Sequence, residues 1–120
     1  MHTTCQVVTK PWGHEVIWAR TDRYMGKLLV INPDCKLSRQ YHEHKDESFY
    51  VLKGAMTLEV GYPDDDNFET MIMGPGNSFH CPPGTIHRMC AGTDGCEVVE
   101  ASSSESDAGD IVRLEDDYDR

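Results

Sequence analysis

Two short stretches of this chain carry residue types at spacings that suit a metal ion. In the first, His42-Glu43-His44 is followed by Glu47 and, after six more residues, Gly54. On an extended strand residues two apart share a face, so His42 and His44 can aim two imidazoles at one point. Glu47 heads the apolar run Ser48-Phe49-Tyr50-Val51-Leu52, where it can add a carboxylate oxygen, and Gly54 allows a tight turn that sends the chain back. The second stretch is Gly76-Asn77-Ser78-Phe79-His80-Cys81-Pro82-Pro83-Gly84-Thr85-Ile86-His87, in which a strand ends at Pro-Pro-Gly and the next carries His87 inward. Three imidazole nitrogens and one carboxylate, from His42, His44, His87 and Glu47, form a set of intermediate softness. It suits one divalent transition metal (Zn, Mn, Fe, Co or Ni) rather than calcium. Four protein ligands on an octahedral ion leave two positions open to a substrate.

Strands must position these residues. Runs rich in Val, Ile, Leu, Tyr and Met recur, interrupted every eight to twelve residues or so by Gly, Pro, Asn or Asp, the rhythm of an all-β sandwich or barrel. Strands are expected near Glu15–Arg20, Met25–Ile31, Leu37–Tyr41, Ser48–Leu52, Ala55–Val60, Phe68–Met73, Ser78–His80, Ile86–Cys90 and Cys96–Ala101, with no helix. Reversals are expected at Asn32-Pro33-Asp34, Lys53-Gly54, Tyr62 to Asn67, Gly74 to Asn77 and Pro82-Pro83-Gly84. The acidic run from Asp64 to Asp66 reads as a solvated hairpin tip. One domain is expected, with an N-terminal arm over 1–11, a barrel over 12–101, and a polar linker with an acidic tail over 102–120.

Composition narrows the function. A net charge of −10 disfavours nucleic acid and anionic lipid, both of which bind through Lys and Arg on phosphate. A small anionic substrate then needs a pocket with its own basic residues. Apolar runs fall short of the roughly 20 residues of a membrane span, and no leader is evident at Met1-His2-Thr3-Thr4, so a cytoplasmic location is expected. Five cysteines without a Cys-x-x-Cys pair suggest reduced, mostly buried thiols.

The paired motifs, from before His42 to Gly54 and from Gly76 to His87, resemble those of the cupin superfamily, although Lys36 and Ala91 replace the usual flanking Gly and Asn. Lys10-Pro11-Trp12-Gly13, Leu37-Ser38, His87-Arg88 and the closing phrase from Asp110 to Tyr118 are similar to the cupin domain of type II mannose-6-phosphate isomerases. The resemblance implies a small cupin barrel of jelly-roll type and interconversion of an aldose phosphate with a ketose phosphate. It also implies a base, for which Glu100 and His80 are candidates, and phosphate contacts, for which Lys27, Arg39, Arg88 and Arg113 are candidates. Two other readings fit the same ligands: a non-haem iron dioxygenase, and a non-catalytic metabolite-binding cupin. Small open barrels leave edge strands, so a homodimer is expected, with the segment before Trp12 as an exchanged strand.

Overall fold

Alternation of apolar and polar residues builds nine strands and a single helical turn in a computed structural model that describes residues 1–62, 64, 66–104 and 107–119. Pro63 and Asp65 of the expected acidic turn, Glu105 and Ser106 of the expected linker, and Arg120 lie outside the described residues. In chain order the elements are β1 (Gln6–Lys10), β2 (Gly13–Arg20), β3 (Tyr24–Ile31), β4 (Arg39–His42), β5 (Glu47–Gly61), β6 (Glu69–Met73), β7 (Ser78–Cys81), β8 (Ile86–Ser103), the turn α1 (Asp107–Asp110) and β9 (Ile111–Glu115). Among the described residues no helix is long and apolar enough to cross a membrane.

Two long strands form the spine. β5 and β8 pair antiparallel from Glu47↔Ser102 to Gly61↔Ile86, with register shifts between Val51 and Lys53 and between Gly54 and Met56. The first half of β5 takes β7 on its free edge and the second half takes β6. β8 likewise takes β3 on one half and β4 on the other. The spine therefore belongs to two half-sheets, β1-β2-β3-β8-β5-β7 and β9-β4-β8-β5-β6, folded toward each other at the register shifts. The result is a curled all-β half-barrel of cupin-like jelly-roll type that is not fully closed.

Gly54 and Gly95 make this corner. Both have left-handed backbones, with φ of 79° and 74°. A Cβ at Gly54 would lie 2.3 Å from the carbonyl oxygen of Gly95. Lys53-Gly54 is thus no reversal: the expected strands Ser48–Leu52 and Ala55–Val60 are one continuous strand, as are Ile86–Cys90 and Cys96–Ala101. In sequence Gly54 reads as a turn because a bend within a strand and a hairpin place the same demand on φ. True reversals occur at Gly74–Asn77, where the amide of Asn77 donates to the Gly74 carbonyl at 3.0 Å, and at Pro82–Thr85.

Both chain ends differ from expectation. The arm is not an unpartnered strand, because β1 pairs with β2 of the same chain from Gln6↔Ile17 to Lys10↔Gly13. Ser102 and Ser103 extend β8, and the tail supplies β9, which pairs with β4. Neither Ser-rich nor acidic composition signals a strand whose pairing is set by tertiary contacts. The core lies between the half-sheets, where Phe49, Val51, Met56, Leu58, Met89 and Val98 are essentially inaccessible to solvent.

Gly54→Ala is expected to destabilise the fold. A non-glycine residue in this conformation costs about 1–3 kcal/mol, and the contact with Gly95 adds to it. Thermal unfolding followed by circular dichroism should show a midpoint lower by at least about 4 °C. An unchanged midpoint would show that the corner does not need glycine.

Candidate metal centre

The inner face of the curled sheet is apolar along its floor and polar at one end. Cross-strand register shows the switch: Glu15, Leu29, Val98 and Val51 form one row, and Ile17, Lys27, Glu100 and Phe49 form the next. A further row, Val60, His87, Gln40 and Arg113, comes from the other half-sheet. The polar residues of these rows line a narrow cavity together with His42 and Glu47.

Three of the four expected ligands meet there. Nε2 of His42 lies 3.4 Å from one oxygen of Glu47, and Nε2 of His87 lies 3.6 Å from the other. Ligand atoms of all three residues fall within 4.8 Å of one another, and all three residues are buried. With metal–ligand bonds of about 2.1 Å, neighbouring donors on one ion sit roughly 3.0–3.5 Å apart. The His42–Glu47–His87 set therefore fits a single divalent transition metal.

Surrounding groups fix the tautomers. Nδ1 of His87 is 3.0 Å from the carbonyl oxygen of Thr85. A carbonyl can only accept, so Nδ1 carries the proton and the Nε2 lone pair faces the cavity. Burial, partly offset by the Thr85 carbonyl and reinforced by His42, lowers the His87 pKa to about 4, which keeps the ring neutral at ordinary pH. Nδ1 of His42 lies 3.2 Å from Oδ2 of Asp110, the carboxylate–histidine arrangement common around metals. Burial would push the Asp110 carboxyl up, but the amides of Lys45 (3.1 Å) and His44 (2.8 Å) donate to it and hold it below the usual range.

His44 is outside the cluster. β4 ends at His42, and the amides of Glu43, His44 and Lys45 all turn toward Asp110, so strand alternation does not reach His44. Its side chain is 72% exposed, with Nδ1 3.1 Å from Asp110.

The other expected site residues divide by strand parity. Lys27, Glu100 and Arg113 line the cavity. Arg39 precedes the inward Gln40 and points away, pairing with Glu59 and Glu115 and lying 4.6 Å from the centre of the Phe68 ring. Arg88 follows the inward His87 and is also on the far side. There its guanidinium donates to the Leu37 carbonyl (2.9 Å) and to Asp117 (2.8 Å), beside Glu115. Arg88 is thus a buried clasp for the tail, not a phosphate contact. His80 precedes the inward Cys81, and its exposed ring meets Asp46 at 2.7 Å, which removes it from the cavity. Alternation around the known inward residues separates these groups, a signal present in the sequence. Lys10, Glu15 and Gln40 also line the cavity and Asp110 stands behind His42; Lys10 and Asp110 belong to family-like phrases of the sequence, whereas no motif spacing marks Glu15 or Gln40.

Curled sheet and buried His/His/Glu cluster together define a metal-binding cupin. More narrowly, the chain belongs to the family described as mannose-6-phosphate isomerase C-terminal, which matches residues 1–116. Xanthan biosynthesis protein XanB of Xanthomonas campestris pv. campestris (strain B100) is 33% identical over 115 residues, 94% of this chain and 23% of that protein. Alginate biosynthesis protein AlgA of Pseudomonas aeruginosa is 31% identical over 118 residues, covering 97% of this chain and 23% of that protein. The chain spans about a quarter of the length of these relatives. Among solved structures, the capsular polysaccharide assembling protein CapF from Staphylococcus aureus superposes with a TM-score of 0.83 at 18% identity, over 95% of this chain and 32% of that one. KdgF from Halomonas sp. superposes at 0.73 with 24% identity, over 89% and 91%. These two likenesses concern the fold.

Metal analysis by mass spectrometry should find about one transition-metal ion per chain, lost in His42→Ala and His87→Ala but kept in His44→Ala. Asp110→Asn should weaken metal affinity by about 10–100-fold. Loss of metal in His44→Ala, with the fold intact, would return that residue to the ligand set. The metal-free protein should also lose stability in acid. His87 takes up its proton near pH 6.5 when unfolded and only near 4 when folded, so its contribution is present above about 6.5 and lost as pH falls to about 4. Urea midpoints across that window should fall in wild type and stay flatter in His87→Gln.

Proposed function

We propose that this protein is a metal-dependent aldose–ketose isomerase of the mannose 6-phosphate type, acting on a small sugar phosphate. One observation carries the reading: Glu100 and Lys27, opposite each other on neighbouring strands, line the same cavity as the His42–Glu47–His87 cluster. Family membership supports the sugar-phosphate substrate, and the relatives named for xanthan and alginate biosynthesis are in keeping with sugar chemistry. The guanylyltransferase activity in the names of other relatives belongs to proteins of which this chain covers about a quarter.

A divalent ion held by His42, Glu47 and His87 would supply Lewis acidity to the two substrate oxygens at the reacting carbons. The remaining work falls to the chain. Isomerisation moves one proton from C2 to C1 and the hydroxyl proton from O2 to O1, so no redox partner is needed. Glu100 is the carboxylate placed to take the carbon-bound proton and return it to the neighbouring carbon. Lys27, beside it, places a cation where negative charge develops on the substrate oxygens. Trp12, Leu29 and Met89 form the apolar wall that keeps bulk water from the intermediate.

A second reading has one specific observation behind it. With His44 outside, the cluster is two histidines and one carboxylate, the ligand set of many non-haem iron oxygenases.

In deuterated water, metal-loaded protein with mannose 6-phosphate should form fructose 6-phosphate and place deuterium at C1 or C2. Glu100→Gln should lower kcat by about 10²–10⁴-fold while retaining the metal. No isomerisation across hexose and pentose phosphates, together with oxygen uptake by iron-loaded protein, would replace this reading with the oxygenase.

A further inference from the structure

The cavity at the metal cluster has a volume of about 50 Å³. That is room for an ion and a few water-sized groups, not for a whole hexose. Most of a sugar substrate must therefore lie elsewhere. A second cavity of about 550 Å³ adjoins the first and shares Lys10, Glu15 and Lys27 with it, a volume in the range of small-molecule sites.

The charge of this second cavity runs against that of the protein. Lys10, Arg20, Lys27 and Lys45 line it, four of the chain's 11 basic residues, against Glu15 and Asp22, two of its 21 acidic ones. Glu15 is divided between two ammonium groups, at 3.5 Å from Lys10 and 3.3 Å from Lys27. Lys45 is only 1% exposed and Lys27 only 5%. Among the described residues of the lining, the cationic side chains thus outnumber the carboxylates, the reverse of the chain as a whole. In a chain of net charge −10, such a spot concentrates anions locally.

We propose that this cavity is the subsite for the dianionic phosphate end of the substrate, with Arg20 and Lys45 as contacts and Lys10 and Lys27 as the wall shared with the metal chamber. The identity of the substrate rests on the isomerase reading, whereas the affinity for phosphate does not. The carbonyl end then enters the metal chamber past Lys27 and Glu100, while the phosphate stays outside it. Lysines act as point charges that suit a tetrahedral phosphate, and a singly charged, planar carboxylate fills the site less well. Arg39 and Arg88, committed to the far side of the sheet, take no part.

Titration of the metal-free 120-residue chain with inorganic phosphate, followed by phosphorus NMR and calorimetry, is the test. Mannose 6-phosphate should bind, mannose should not, and glucuronate should bind at least tenfold more weakly than the phosphate ester. Arg20→Gln and Lys45→Met should each weaken phosphate binding at least tenfold. Lys53→Gln, which removes an equal charge at a different cavity, should leave it unchanged. Thermal melting checks each fold; should Lys45→Met not fold, the exposed Arg20 decides. Equal binding by wild type and Arg20→Gln, or none by wild type, overturns the subsite. In metal-loaded protein Arg20→Gln should raise KM about tenfold with kcat kept within about threefold. Isomerisation with KM unmoved overturns the subsite and leaves the isomerase standing. Phosphate binding that depends on Arg20 and Lys45, without isomerisation, supports the subsite and removes the isomerase.

Discussion

Everything in the site depends on one bend. Along the β5–β8 ladder, Glu47 starts one end and His87, paired with Val60, lies thirteen residues further on. On a flat sheet that separation is about 43 Å. In the folded chain the two side chains are 3.6 Å apart. The corner at Gly54 and Gly95 closes the gap, because two backbones with positive φ let both spine strands change direction together without unpairing. The metal cluster is thus a property of the curl, and no local segment contains it.

Burying the imidazoles of His42 and His87, the carboxylates of Glu15, Glu47, Glu100 and Asp110 and the lysines Lys27 and Lys45 is costly, and the structure shows what offsets it. Glu15 binds two lysines, Asp110 receives two backbone amides and the His44 ring and lies 3.2 Å from the His42 ring, and the Thr85 carbonyl holds the His87 proton. The half-sheet floor supplies apolar burial in exchange, with Val51, Leu58 and Val98 fully inaccessible. Thiols follow the same logic: burial, with the nearby carboxylates Glu47, Glu100 and Asp46 adding to it, raises the Cys81 pKa far above the ordinary thiol value, so it packs as a small apolar side chain.

Much of this was legible before the fold. Turn residues and β-prone runs located seven of the strands, and the motif spacings named three ligands that do converge. What stayed hidden has physical causes. Gly54 reads as a turn because a bend within a strand and a hairpin demand the same φ, and Gly95 stands in the gap between two expected strands that are one. His44 looked like the partner of His42 because two-residue spacing implies a shared face only while the strand continues, and Asp110 ends it by drawing in the amides at 43–45. The roles of Arg39, Arg88 and His80 were open to correction from parity alone, since each neighbours a residue that faces inward. β9 was not open to such reading, because an acidic, half-exposed segment forms a strand only where an edge such as β4 awaits it.

Asp110 and β9 come from the last stretch of the chain, yet they set the orientation of His42 and cover the edge on which it sits. A ribosome makes this protein from the other end. The emerging chain can pair β5 with β8 and bring Glu47 toward His87 while His42 still lacks its buried carboxylate. His42 therefore meets its carboxylate, and β4 its neighbouring strand, only once synthesis has passed residue 115, long after the three ligands themselves have emerged.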